Sequence, residues 1–186
     1  MTAASIPQLL ADINTACAGL KSVRLMEVCG THTVSLFRSG VKSLLPPNIK
    51  LISGPGCPVC VTGQGYLDIA CALAQQKNVT ICTYGDMVRV PGKSGSLETA
   101  RAQGAQIRVV YSPRDAVTFA AENPQRQVVF LAVGFETTTP GTAAAVLEAH
   151  QRNIKNFFIL PGHKLVVPAM MILLQGGEVG IDGFLC

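Results

Sequence analysis

Apolar and polar positions along the chain follow two alternating rhythms. Residues 6–20 carry Ile6, Leu9, Leu10, Ile13 and Cys17 at helical spacing, which predicts an amphipathic lead helix. Beyond it, short runs rich in Val, Ile and Phe alternate with longer stretches of helical periodicity. The runs predict strands at 23–28, 49–53, 79–84, 106–111, 127–133, 156–160 and 181–186. The stretches between them predict helices at 33–45, 63–76, 96–103, 113–122, 140–152 and 166–175. A Gly- and Pro-rich loop over 85–95 interrupts the series.

Strict strand–helix alternation points to an α/β fold of parallel βαβ units with helices on both faces of the sheet. Because the loop at 85–95 breaks the series, two small doubly wound, Rossmann-like lobes are expected rather than one sheet. The expected division is a lead helix over 1–20, a first lobe over 21–104 and a second lobe over 105–186, the boundary falling within 104–126. The last run, GIDGFLC, stops on an apolar strand pattern without a closing helix or polar tail, so the second lobe is expected to be incomplete and the chain truncated.

Composition narrows the function classes. Of 186 residues, 48% are apolar and 14% charged, which is ample material for a packed core and argues against disorder. Fifteen Lys and Arg against 11 Asp and Glu leave a net charge of +4, scattered from Lys21 to Lys164 without a stripe, so a nucleic-acid footprint is absent. No apolar run reaches the ~18 residues of a membrane span. The N-terminal stretch carries Asp12 and lacks the basic region of a secretory signal, so a cytoplasmic location is expected. Seven cysteines are then unusual. In a reducing compartment such thiols serve redox or metal chemistry more often than structural disulfides. Cys17, Cys71 and Cys82 lie in apolar patterns and read as small buried hydrophobes.

In open parallel sheets, reactive groups collect beyond the carboxyl ends of the strands. Five such ends carry unusual residues: Cys29-Gly30-Thr31-His32, Gly54-Pro55-Gly56-Cys57-Pro58-Val59-Cys60, Gly85-Asp86, Gly134-Phe135-Glu136 and Pro161-Gly162-His163-Lys164. If the strands are parallel, the five loops share one rim. GPGCPVC is the most specific. Its Cys-x-x-Cys spacing suits a small-loop disulfide or a shared metal, and a helix start would lower the pKa of Cys57. A redox pair, metal ligation and a purely structural role remain open for Cys57 and Cys60.

Cys29 and His32 extend the set to a C-x2-H…C-x2-C pattern that a structural zinc site would also use. Cys29 reads equally as a soft-metal ligand or nucleophile and as a buried thiol, His32 as a ligand or a helix N-terminal hydrogen-bonding group. Glu27, in an apolar strand, needs a partner, either a basic residue or the thiols it would tune. The loop GDMVRVPGKSGS is no phosphate loop, since the glycine required six residues before Lys93 is Met87. Arg89 and Lys93 there suit an anion or a solvated loop. Glu136 and His163 are acid–base candidates, with helix capping as the plainer role of Glu136.

The segments EVCGTHTVSLFRSG, GPGCPVCVT, YGDMVRVPGKSGSL, GFETTTP and GIDGFL, in this order and spacing, resemble the hydrogenase maturation factor HypD family over residues 21–186. The likeness covers about the first half of that family's length; the cysteine-rich C-terminal region that binds a [4Fe-4S] cluster lies outside it, so those cluster ligands are absent from this sequence. The resemblance implies an assembly scaffold with redox-active thiols rather than a conventional turnover enzyme. Together with the small chaperone HypC, such proteins hold the iron on which the Fe(CN)2CO unit of [NiFe]-hydrogenase is assembled. HypE supplies the cyanide, and the unit passes to the hydrogenase large subunit. Matching motif to motif, Cys29 would be the thiolate at the iron, with His32 beside it, and Cys57 and Cys60 the redox pair. Glu136 and His163 would lie in the cleft between lobes. Some family members carry a second His where Val34 stands here, which removes ligation from that position. Without the cluster region, the chain alone is expected to hold iron or partner weakly and not to complete assembly. A thiol–disulfide oxidoreductase using Cys57 and Cys60 and a structural zinc module are the competing expectations.

Overall fold

The computed structural model describes residues 5–54, 56–177 and 180–186. The chain is α/β throughout and divides into two compact units, one formed by residues 1–57 and 167–186, the other by 58–166.

In the first unit, helix α1 (Ile6–Cys17) precedes β1 (Val23–Glu27), α2 (Gly30–Arg38), α3 (Val41–Leu44) and β2 (Ile49–Ser53). Most of helix α8 (Val166–Gln175) and strand β7 (Gly183–Leu185) complete it. The sheet has the order β2-β1-β7, all parallel, with Glu27 opposite Ser53 on one side and Leu185 on the other. The single helix expected over 33–45 is two, because Gly40 takes a left-handed φ of 71° between them. Little of this unit is deeply enclosed. No residue of α1, α2 or α8 is buried, and Cys17, expected in the interior, is half-buried.

The second unit runs α4 (Gln64–Ala74), β3 (Val79–Thr83), a 3-10 turn at Gly85–Arg89, α5 (Leu97–Ala102), β4 (Gln106–Val109), α6 (Pro113–Glu122), β5 (Gln127–Gly134), α7 (Thr139–Gln151) and β6 (Phe157–His163). Its parallel sheet has the order β4-β3-β5-β6. The central strands β3 and β5 are covered on both faces, which is why VTICT and QVVFLAVG read as continuous rather than alternating apolar runs. Ile81, Leu97 and Leu131 anchor one side of this core; Phe130, Val128, Cys82 and Ala116 anchor the other. Tyr84 meets Phe130 edge-on at 5.6 Å.

The two parallel sheets are those of Rossmann-like lobes, but the expected division in 104–126 falls inside one of them. β3 and β4 pair across it, and β7 returns to pair with β1. Strand–helix alternation fixes neither the order of strands nor the sheet a late strand rejoins. In each sheet the order reverses beside an early strand, β1 in one and β3 in the other. The loops following those strands therefore open at a topological switch point, where α/β sheets bind ligands.

Candidate functional site

Four of the five segments flagged by the sequence lead out of the carboxyl ends of parallel strands, whereas Pro161, Gly162 and His163 form the end of β6 itself, because that strand pairs with β5 as far as Gly134. Two of the five belong to the three-stranded sheet and three to the four-stranded one.

In the first unit, the chain leaves β1 at Val28, whose N–H donates to the Leu185 carbonyl at 3.0 Å. Cys29 then takes an extended backbone (φ −126°, ψ 137°) at the N-cap of α2. The leftover N–H groups and the positive end of a helix sit at such a position. The thiol makes no capping hydrogen bond of strict geometry. Even so, the hydroxyl of Thr31 foremost, then the N–H groups of Thr31 and His32, face the sulfur and hold its pKa below the ordinary thiol value, against the opposing effect of burial. Cys29 is free and half-buried. The His32 N–H donates to the Cys29 carbonyl at 2.9 Å, and His32 Nδ1 is enclosed without a hydrogen-bond partner among the described residues. Glu27 is buried, and the partner shown for it is the hydroxyl of Thr33 rather than a basic side chain.

The GPGCPVC loop leaves β2 directly beside this turn. The Gly54 N–H donates to the Glu27 carbonyl at 2.9 Å. A Cβ on Gly56 would stand 2.5 Å from Cys29 Cα and 2.6 Å from the Gly30 nitrogen. Only glycine permits that approach, so the glycine before Cys57 is what brings this loop against the Cys29 turn.

Cys57 and Cys60 are both exposed and disulfide-bonded, while the five other cysteines are free. The expected helix start does not reach Cys57: α4 begins at Gln64, after a turn in which Thr62 donates from its N–H to Val59 and from its hydroxyl to Pro58. The cysteine at a helix N-terminus is Cys29 instead. In disulfide form, Cys57 and Cys60 have no thiolate to offer zinc, and no cluster of three or more His, Cys, Asp or Glu able to hold a metal occurs among the described residues.

Within the second unit, Cys60 borders a groove of about 420 Å³ whose walls include Val59, Leu67, Asp86, Arg89 and Pro91. Arg89 pairs with Glu98 at 3.5 Å in an exposed bridge. Lys93 stands exposed at the tip of a tight turn closed by Gly92 N–H to the Gly95 carbonyl, and Asp68 accepts from the Ser94 N–H beside it. Glu136 and His163 come from the neighbouring ends of β5 and β6. Glu136 does cap a helix, but a different one from that expected. Its Oε2 accepts from the N–H of Val166 at 2.9 Å, at the start of α8, while Thr138 and Thr139 turn their hydroxyls to the Phe135 carbonyl. His163 Nε2 lies 3.5 Å from the Thr142 hydroxyl, and burial lowers its pKa. Tyr66 lays its ring against Gly162 and donates its hydroxyl to the Leu160 carbonyl at 2.8 Å, holding the end of β6.

Sequence reasoning missed Thr31, Thr33 and Tyr66. The two threonines were legible as hydroxyls in the turn between a thiol and a helix; Tyr66 carried no local signal, because its partner is 94 positions away.

Fold and site together define a class: a parallel α/β protein of two sheets, with an activated free thiol at one switch point and a Cys-x-x-Cys disulfide on the adjacent loop. A family model described as "HypD: Hydrogenase formation hypA family" matches residues 4–186. The chain belongs to the HypD family. It is 48% identical over 165 residues to the hydrogenase maturation factor HypD of Escherichia coli (strain K12), covering 89% of this chain and 44% of that protein. To HypD of Azotobacter vinelandii it is 47% identical over 188 residues (98% and 50%), and to HypD of Cupriavidus necator 50% over 166 (86% and 44%). The chain thus spans about half the length of the curated relatives it matches. No helix among the described residues is long and apolar enough to cross a membrane.

Proposed function

We propose that this chain is the iron-holding part of a hydrogenase maturation scaffold. Membership of the HypD family supports a role in hydrogenase maturation. The finer reading is that the chain, with HypC, holds iron while Fe(CN)2CO is assembled, HypE supplying cyanide and the hydrogenase large subunit receiving the unit. The iron unit is cargo, not a resident cofactor. The site of action is the cytoplasm.

The observation that carries this reading is the close approach of Gly56 to Cys29 and Gly30, which joins the two cysteine loops. Low-spin Fe(II) bearing strong-field cyanide and CO is well anchored by a soft thiolate. Cys29 is free, half-buried and biased toward thiolate, whereas burial pushes Cys71 up and Cys82 up to about 12. His32 would stand beside the iron and Glu27 behind it. The Cys57 and Cys60 sulfurs would serve as the electron store: two electrons and two protons convert their disulfide to a dithiol, and reoxidation returns both. Glu136 and His163 are assigned a supporting acid–base role. Electrons for the pair would come from a donor such as the [4Fe-4S] cluster that the family resemblance implies.

The test is an infrared spectrum of the chain co-produced with HypC and the cyanide-supplying enzymes and purified without oxygen. Cyanide and CO bands that vanish in Cys29→Ala are expected. No bands, either from this chain or from this chain joined to the C-terminal half of a family member, would refute the scaffold. The exposed disulfide favours one competing reading, a thiol–disulfide oxidoreductase. That activity would survive Cys29→Ala.

A further inference from the structure

We propose that Thr33 is a positioning residue for the Cys29 site, held by the buried Glu27 carboxyl; the inference rests on Cys29 being the iron-holding thiol. Glu27 closes β1 and is 3% exposed, and among the described residues no Lys or Arg pairs with it. A carboxyl group so enclosed is costly unless it is hydrogen-bonded. The donor it has is the Thr33 hydroxyl, which also stands 3.4 Å from Ser53 Oγ.

These three side chains come from three elements. Glu27 ends β1, Thr33 lies in the first turn of α2 and Ser53 ends β2. Ser53 is the register partner of Glu27 and precedes Gly54, whose N–H donates to the Glu27 carbonyl. The loops carrying Cys29 and Cys57 therefore spring from one hydrogen-bonded knot.

Beyond the backbone approach of Gly56 to Cys29 and Gly30, few contacts fix the start of α2. None of its residues is buried, Val34 and Phe37 face outward, and its N-cap makes no side-chain capping bond. The apolar side chains of α2 therefore contribute little to orienting that first turn. The Thr33 hydroxyl, drawn to an enclosed acceptor, orients it, and Cys29 and His32 turn with it. Glu27 thus acts on the thiol through Thr33 and the helix rather than by contact.

The test compares Thr33→Val, which keeps the shape and removes the hydroxyl, with Thr33→Ser, which keeps the hydroxyl. Amide exchange of His32, whose N–H is bonded to the Cys29 carbonyl, is expected to speed by about tenfold or more in Thr33→Val, with β5 amides unchanged. In the complex with HypC and the cyanide-supplying enzymes, the infrared bands of Thr33→Val should shift and weaken by about tenfold, since small misplacements of reacting groups cost that much or more. Thr33→Ser should restore both. Unchanged exchange and bands in Thr33→Val, or a Thr33→Ser variant as impaired as Thr33→Val, would overturn the proposal. Should Thr33→Val fail to fold, Glu27→Gln serves in its place: faster His32 exchange supports the strut, and parental exchange overturns it. Missing bands in the unaltered chain would refute the scaffold reading alone, and amide exchange then decides the strut.

Discussion

Replacing Gly56 by Ala is the sharpest test of how the two cysteine loops are joined. The added methyl would stand 2.5 Å from Cys29 Cα and 2.6 Å from both the Gly30 nitrogen and the Val28 carbonyl oxygen. Carbon atoms in ordinary contact lie about 3.5–4.0 Å apart, so the loops must separate by roughly 1 Å. All three neighbours are backbone atoms, so no side-chain rotation relieves the overlap. Overpacking of this kind costs about 1–3 kcal/mol. A displacement of roughly 1 Å between groups that must cooperate costs about 100-fold in rate. Gly65→Ala is the matched control: no atom lies within 4 Å of its added methyl, and its position inside α4 favours Ala by about 0.5–1 kcal/mol. Urea unfolding followed at the first unit, with infrared amplitude of the assembled complex, reads both effects. A Gly56→Ala chain with the parental midpoint and band intensity would refute the claimed approach.

Four further outcomes are expected. Alkylation of Cys29, followed peptide by peptide in a mass spectrometer, should rise with pH through a midpoint below that of an ordinary thiol; Thr31→Val should move the midpoint up, because the Thr31 hydroxyl is its main cause. His163 should titrate by NMR below the usual 6.5, because burial disfavours its charged form. The unfolded chain then binds the proton more readily, so this group's contribution to stability is present at higher pH and declines as pH falls through 6.5, a trend that His163→Gln should remove. Phe130→Ala should cost about 3–5 kcal/mol in chemical denaturation, since Phe130 is fully enclosed at the centre of the second sheet. A mild dithiol should add two free sulfhydryls on Cys57 and Cys60 without unfolding either sheet, as counted by a chromogenic thiol reagent; resistance to reduction short of denaturation would count against a redox role.

Much of the fold was legible because parallel sheets write themselves plainly in sequence. β2, α6 and α8 have the expected limits, and most other elements differ by a residue or two. What periodicity cannot carry is long-range pairing. Nothing in GFL says that it joins β1, more than 150 positions earlier, rather than the nearer sheet. Side-chain partnerships were equally hidden: Glu27 needed a partner, but a basic residue and Thr33 satisfy the same requirement until coordinates choose. The cysteines were legible as a set and not by state. The helix expected over 63–76 does begin at Gln64, and the turn through Thr62 keeps its N-terminus away from Cys57, so the expected lowering of that pKa has no helix start behind it. Motif order identified the family, because several segments, GPGCPVC and CGTH among them, match together in order and spacing where each alone leaves its chemistry open.

The division among the cysteines follows from where each sulfur meets backbone dipoles. Cys71, on α4, and Cys82, on β3, lie in the packed core of the second unit, where burial disfavours the thiolate. Cys57 and Cys60 sit on an exposed turn and have left the acid–base equilibrium altogether by bonding. Cys29 alone has a helix beginning at its own position, with Thr31 and His32 turned toward its sulfur. A carrier of a strong-field iron unit needs one thiolate that stays ionised and a separate pair that can change oxidation state. If a single sulfur did both, every electron transfer would break the anchor. Gly56 brings the two cysteine loops into contact; on the proposed reading, the anchor would be held by the helix start at Cys29, and the electron store, on a turn of its own, would open and close while Cys29 kept its iron.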